Sequence, residues 1–270
     1  MSAPSSLKFA ANLSWLYTDL PFLDRFEAAA HDGFQGVECL FPHEHPMTEV
    51  RDRLHHNGLQ LVLFNAAPGS WAQGERGLAC LSGREDEFRA SVDQALELAA
   101  ALDCPRIHVM AGLSDPASST AAWTRYQSNL SWAAQRAAQA GRTLMIEPIN
   151  TRDMPCYLLS KQRQAHDVVQ AIGSPHLQVQ MDLYHCQIME GDLTMQLRQW
   201  LPTGRVGHLQ IAAVPDRGEP NAGELHYPHV FAELAALNWQ GWIGCEYKPR
   251  QSGPGGTSAG LGWWRALQAA

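Results

Sequence analysis

The chain has 270 residues, of which 45% are hydrophobic and 17% charged, with a formal net charge of −7. Globular domains average about 25% charged residues, so charge is scarce here, and its acidic balance argues against a nucleic-acid footprint, which would be basic. No stretch approaches the roughly 18 apolar residues of a membrane span. Met1 to Ala10 lacks an apolar run behind basic residues, so no signal peptide is expected. Cys39, Cys80, Cys104, Cys156, Cys186 and Cys245 form no CxxC pair. The expectation is a cytoplasmic protein whose six thiols are reduced and buried.

The predicted elements alternate. A strand over Leu7–Leu13 leads to a helix over Pro21–His31. Gly36–Phe41 is followed by Glu49–Asn57, and Leu59–Asn65 by Arg84–Leu102. That third helix is the clearest. Phe88, Val92, Leu96, Ala99 and Leu102 recur at three- and four-residue steps, which puts them on one face. Ser82 and Glu85 have capping-box spacing at its start. Next come Arg106–Ala111 with Ala121–Ala140, and Thr143–Pro148 with Lys161–Ile172. Leu177–Asp182 precedes Met195–Trp200, Val206–Ala212 precedes Val230–Leu237, and Trp242–Glu246 precedes Gly262–Ala269. Gly58, Gly141 and Gly173 each follow a helix, where a left-handed cap is wanted.

Eight strand–helix pairs in this length predict a closed (β/α)8 TIM barrel in one domain, with right-handed crossovers. The rival, an open doubly wound sheet, would carry G-x-G-x-x-G after strand one. Here Leu13 is followed by Ser14-Trp15-Leu16.

Barrel chemistry sits at the C-terminal ends of strands. Strands five to eight end on or near Glu147, Asp182, Gln210 and Glu246. Three carboxylates converging on one mouth repel each other, and a divalent cation relieves that repulsion. Such an all-oxygen set suits Mg²⁺, with Mn²⁺ second, better than Zn²⁺. The bland alternative pairs each acid with an arginine or a helix N-terminus. His185, Arg217 and Lys248 lie close in sequence to these strand ends and could receive an anionic substrate. His108 reads as a satisfied interior histidine, and His43-Glu44-His45 as a loop. The loop Ala66–Gly77, with Trp71, is a candidate lid. Trp263-Trp264 suits packing of the last helix on the barrel, with an oligomer contact as the alternative.

Several stretches resemble the hydroxypyruvate isomerase family, within the xylose-isomerase-like TIM barrels. They include Phe9-Ala10-Ala11-Asn12-Leu13, Gly36-Val37-Glu38, Phe64-Asn65 and Pro68-Gly69-Ser70-Trp71. Gly74-Glu75-Arg76-Gly77, Ile146-Glu147-Pro148-Ile149-Asn150 and Asp182-Leu183-Tyr184-His185 follow. His208-Leu209-Gln210-Ile211-Ala212, Val214-Pro215-Asp216-Arg217-Gly218-Glu219-Pro220 and Gly244-Cys245-Glu246-Tyr247-Lys248-Pro249 complete the set. The resemblance implies an aldose–ketose type isomerisation of a small anionic hydroxy-oxo acid, dependent on a divalent metal. It implies Glu147 and Glu246 as the acid–base pair, with Glu147, Asp182, Gln210 and Glu246 as ligands. It places His185 and Arg217 at the substrate, and adds Asn65 to Lys248 as a substrate-binding candidate. Hydroxypyruvate is the expected substrate.

Three rivals follow: a 2-oxo-tetronate isomerase or ketose epimerase of the same superfamily, an endonuclease-IV-like barrel, and a non-catalytic small-acid sensor. The nuclease would need more histidines and a basic face.

Overall fold

The computed structural model describes residues 7–115 and 119–268. Eight parallel strands close into a barrel in sequence order, each pairing with the next and β8 with β1. They are β1 Lys8–Asn12, β2 Gly36–Cys39, β3 Gln60–Asn65, β4 Arg106–His108, β5 Thr143–Ile146, β6 Leu177–Asp182, β7 Val206–Ile211 and β8 Trp242–Cys245. All eight lie inside the expected spans. The expected spans overrun at several C-terminal ends because residues such as Glu147 leave the ladder there to line the mouth.

Helices wrap the outside: α1 Arg25–His31, α2 Met47–His56, α3 Glu85–Ala101, α4 Ser119–Gln139 and α5 Gln162–Ile172. After these come α6 Leu183–Met189, α7 Leu193–Trp200, α8 Tyr227–Ala236, α9 Gly256–Gly260 and α10 Gly262–Gln268. In α3, Phe88, Val92, Leu96 and Ala99 are buried, as their spacing demands. Each such Phe or Leu contributes about 1.5–3 kcal/mol by burial. Gly58, Gly141 and Gly173 adopt φ of 62°, 64° and 68°, the left-handed turn that ends a helix cheaply only with glycine.

Several expectations need correction. Ser82 does not cap α3; Arg84 precedes the helix without a side-chain cap, and Glu85 instead pairs with Arg125 at 2.9 Å. Two short helices were not anticipated. α6 follows β6 with no linker, so no turn signal separates them, and α9 is built largely of glycine and small residues. Cys156 is exposed, while the other five cysteines are buried; all six are free. His43-Glu44-His45 contributes to a single helical turn over Pro42–Glu44. The expected end of the last helix at Ala269, and Met1–Ser6 of the leader reading, lie outside the described residues. No helix among the described residues is long and apolar enough to cross a membrane. Trp264 stacks on Phe34 at 4.3 Å, and Trp263 meets Phe9 edge-on at 5.3 Å, so both pack α10 onto the barrel.

Two glycines shape the barrel interior. Side chains alternate across a strand, so Trp242 and Gly244 share one face of β8. A Cβ on Gly36 would lie 2.7 Å from the Trp242 ring, and one on Gly244 would lie 2.4 Å from both Glu38 carboxylate oxygens. Trp242 packs at the lower end against Ala10, Val62, Leu63 and Met145. Above them lies a polar layer. Glu38 accepts from Asn12 at 2.9 Å, from His208 at 2.6 Å and from Gln210 at 2.7 Å. Gln180 donates to the Gln210 carbonyl at 2.6 Å. Register shifts fall at Val37/Glu38 and Val179/Gln180. Such bulges re-aim side chains, and here both affected residues join this layer.

Candidate active site

The mouth of the barrel holds the acids. Ligand atoms of Glu147, Asp182, His185 and Glu246 all lie within 4.8 Å of one another, and all four residues are buried. Glu147 stands just past β5 and Glu246 just past β8; Asp182 is the last residue of β6. Asp182 has two duties. Its Oδ1 accepts from the Tyr184 N–H at 2.8 Å and so caps α6. Its Oδ2 is buried with no hydrogen-bond partner, as is Oε1 of Glu147.

Burial dominates the electrostatics. It pushes the Glu147 carboxyl well above its ordinary value, and the negative charges of Glu246 and Asp182 push further. Burial raises Glu246 to about 8 and Asp182 to about 6, with Arg217 opposing both shifts. Burial alone would lower the Arg217 guanidinium, but Glu246, Asp182 and Glu147 hold it above its ordinary value.

Arg217 sits in the β7–α8 loop with φ 55°, a left-handed backbone unusual for a non-glycine residue. It donates to Glu246 Oε2 at 2.7 Å and lies 3.8 Å from Asp182 Oδ2. Its guanidinium is 4.5 Å from the Trp15 ring and 4.9 Å from that of Tyr184. The bland alternative therefore holds in part: Glu246 has its arginine and Asp182 its helix N-terminus. Neither arrangement satisfies the remaining oxygens.

His185 stands on α6, 3.6 Å from Asp182 Oδ2 and 3.8 Å from Glu147 Oε1 through Nε2. Its Nδ1 receives the Asn150 backbone N–H at 3.4 Å, with the Asn150 side-chain nitrogen 2.6 Å away. Burial, then the charge of Arg217, keeps the ring well below its ordinary pKa. A neutral ring whose Nδ1 accepts carries its proton on Nε2, so His185 presents an N–H donor to the mouth.

Gln210 borders a small cavity of about 20 Å³ together with Glu147 and Glu246. Its carbonyl already accepts from Gln180, which leaves one lone pair. The structure thus brings Glu147, Asp182 and Glu246 together with His185 and Arg217, and ties Gln210 into the layer beneath. Asn65 is buried at the end of β3, and Lys248 is exposed; both line the larger pocket. His108 is interior but not satisfied: neither ring nitrogen has a hydrogen-bond partner, and Nδ1 lies 3.6 Å from Glu147 Oε2. Burial, then His208, lowers it to about 3.

Above the acids opens a pocket of about 390 Å³. Trp71 and Arg76, from the loop expected as a lid, also line it, as do Trp15, Asp153 and Met154, which sequence reasoning did not assign to the site. Glu38 was missed as well. A lone acid in the otherwise uncharged predicted strand Gly36–Phe41 is the signal that could have found it.

The donor set suits a hard divalent cation. Three carboxylates converge, two of their oxygens have no partner, and their charges exceed what Arg217 balances. Oxygen-rich sites favour Mg²⁺ or Mn²⁺.

A family model described as xylose isomerase-like TIM barrel matches residues 26–267. A 2-oxo-tetronate isomerase of Cupriavidus necator is 54% identical over 258 residues, 95% of this chain and 96% of its own. The hydroxypyruvate isomerase of Escherichia coli is 42% identical over 258 residues, covering 95% and 98%. A crystal structure from Brucella melitensis, described as an AP endonuclease of family 2, superposes with a TM-score of 0.92 at 45% identity, covering 97% and 99%. The chain belongs to the xylose isomerase-like TIM barrel family, in its hydroxypyruvate isomerase group.

Proposed function

We propose that this isomerase interconverts a small 2-oxo acid and its hydroxy-oxo isomer by moving a proton between adjacent carbons. The observation that carries this reading is the convergence of Glu147, Asp182, His185 and Glu246 within 4.8 Å at the barrel mouth. Hydroxypyruvate and tartronate semialdehyde are one such pair. The four-carbon 2-oxo-tetronate is the other candidate, favoured by 54% identity to the Cupriavidus relative. Both acids place a hydroxyl beside a carbonyl.

A C–H next to a carbonyl is a weak acid in water. Glu147 and Glu246 are the proton carriers: one takes the proton from the hydroxyl-bearing carbon, and a proton returns to the neighbouring carbon. The electron pair left by the first step becomes the carbon–carbon double bond of an enediolate, and the hydroxyl proton passes between the two oxygens. Positioned acid–base pairs contribute roughly 10²–10⁴-fold. Burial that raises both carboxyls favours proton uptake near neutral pH. His185 Nε2–H is placed to donate to a substrate oxygen as charge grows there. Glu147, Asp182 and Glu246, with the free lone pair of Gln210, would hold Mg²⁺ or Mn²⁺. When bound, such an ion supplies Lewis-acid stabilisation of the substrate oxygens, worth several kcal/mol.

A nuclease reading is disfavoured by the net charge of −7 and the carboxylate-rich mouth. The test is an activity panel on metal-stripped protein. Mg²⁺, Mn²⁺ or Zn²⁺ is added back, with hydroxypyruvate, 2-oxo-tetronate and free ketoses as substrates. Turnover of a 2-oxo acid is the expected result; turnover of neutral ketoses alone would replace the proposal with an epimerase.

A further inference from the structure

We propose that Arg76, on the β3–α3 loop, is the residue that recognises the substrate carboxylate and so selects oxo acids over neutral sugars. The inference rests on the isomerase reading for its substrate class, but its geometry is independent of the acid cluster.

The loop is a compact excursion with a closed neck. The Gly77 N–H donates to the Pro68 carbonyl at 3.0 Å. Inside it, Ser70 N–H donates to Glu75 Oε2 at 2.5 Å, and Arg84 donates to Glu75 Oε1 at 2.5 Å. Gly77 has φ 113°, and a Cβ there would lie 2.3 Å from the Met110 carbonyl oxygen, so the neck lies against the end of β4. Trp71 meets Phe41 edge-on at 5.2 Å.

Arg76 is half-buried in this frame. Its guanidinium stacks 3.8 Å above the Trp71 ring. Its Nη1 donates to the Trp71 and Glu75 carbonyls at 3.1 and 2.7 Å. Those contacts fix the plane of the fork. Among the described residues, no carboxylate lies within 4.0 Å of it, and Nε and Nη2 have no hydrogen-bond partner.

The other cations of the pocket differ. Arg217 is committed to Glu246 and Asp182. Lys248 is exposed at the rim and has no fork. A partly desolvated guanidinium without a counter-charge is unfavourable, whereas a bidentate Arg–carboxylate pair is among the stronger polar contacts. Arg76 thus offers a pre-set fork to an incoming carboxylate. Neutral ketoses of the same frame cannot use it.

The experiment compares the metal-loaded wild type with Arg76→Gln and Arg76→Lys. It measures kcat and KM for hydroxypyruvate and 2-oxo-tetronate. Binding is followed by calorimetry with pyruvate, an acid lacking the adjacent hydroxyl, and with dihydroxyacetone, a neutral ketone. A lost charge-assisted pair weakens binding by about 10- to 100-fold. Arg76→Gln is expected to raise KM and the pyruvate Kd by that factor, to leave kcat within about threefold, and to spare dihydroxyacetone. Arg76→Lys is expected to recover part of the loss. Equal pyruvate affinity in all three proteins overturns the proposal; so does equal weakening of pyruvate and dihydroxyacetone, which would mean that Arg76 only braces the loop. If the wild type turns over no 2-oxo acid, the isomerase reading fails, while pyruvate binding still decides the role of Arg76.

Discussion

His208 Nε2 lies 2.6 Å from Glu38 Oε2, and this contact joins β7 to β2 across the barrel interior. Glu38 accepts two further hydrogen bonds, from Asn12 and Gln210. The layer beneath the site is therefore a network organised by one carboxylate.

Removing that carboxylate leaves buried donors without an acceptor. Glu38→Ala is expected to lose about 3–5 kcal/mol, the scale seen when one partner of a buried pair is deleted. Glu38→Gln should lose less. Gly244→Ala should cost about 1–3 kcal/mol, because its Cβ would press on the same carboxylate. Urea titrations measure all three, and wild-type stability in Glu38→Ala would show that the network is not structural.

Glu147→Gln and Glu246→Gln are each expected to lower kcat by at least about 10²-fold while keeping the fold, as read by circular dichroism. The cation-free Glu147→Gln protein should melt no lower than wild type. A buried carboxylate repelled by Glu246 and Asp182 is a liability that the amide removes. Full activity in either variant would end the acid–base assignment.

Chelation is expected to abolish turnover, with Mg²⁺ or Mn²⁺ restoring it. The same ions should raise the melting temperature, since a ligand at 100 times its Kd adds about 2.7 kcal/mol. No thermal shift with either ion would rule out the carboxylate cluster as their binding site.

His166 gives a pH signature remote from the chemistry. It stacks on Trp200 at 3.9 Å, is buried, and has no hydrogen bond at either ring nitrogen. Burial, then Arg205, lowers its pKa to about 4. The unfolded chain takes up its proton near pH 6.5, and the fold does not until about pH 4. Stability contributed by the neutral ring is thus complete above about pH 6.5 and falls as pH drops from there towards 4. His166→Phe keeps the stack without the titration. Its melting temperature should decline less over that window than that of the wild type; parallel declines would exclude His166 as a cause.

The barrel was legible because each strand is a short apolar run bounded by helical periodicity, and those periods follow from backbone geometry. The acids were legible for a related reason: strand ends are where a barrel keeps its chemistry, and Glu147, Asp182 and Glu246 stand there. What strand-end reading missed depends on contacts between distant segments. Glu38 meets His208 at a separation of 170 residues, and no local pattern encodes that. The helix α6 was hidden because Asp182 ends a strand and caps a helix at once. His185 was grouped with Arg217 and Lys248 as a receiver of an anionic substrate, but burial and Asn150 make it a neutral donor rather than a cation. The Ser82 cap failed because the helix starts three residues later, where Glu85 finds Arg125.

The closed neck between Pro68 and Gly77 means that the intervening segment enters and leaves the barrel rim at nearly one point. Its interior contributes no residue to the barrel strands that position the carboxylates. With Arg76 reading the substrate carboxylate as proposed, and Glu147 and Glu246 carrying the proton as proposed, discrimination and proton chemistry would be housed in different parts of the chain, and a graft confined to this segment is expected to retune the first while leaving the second in place.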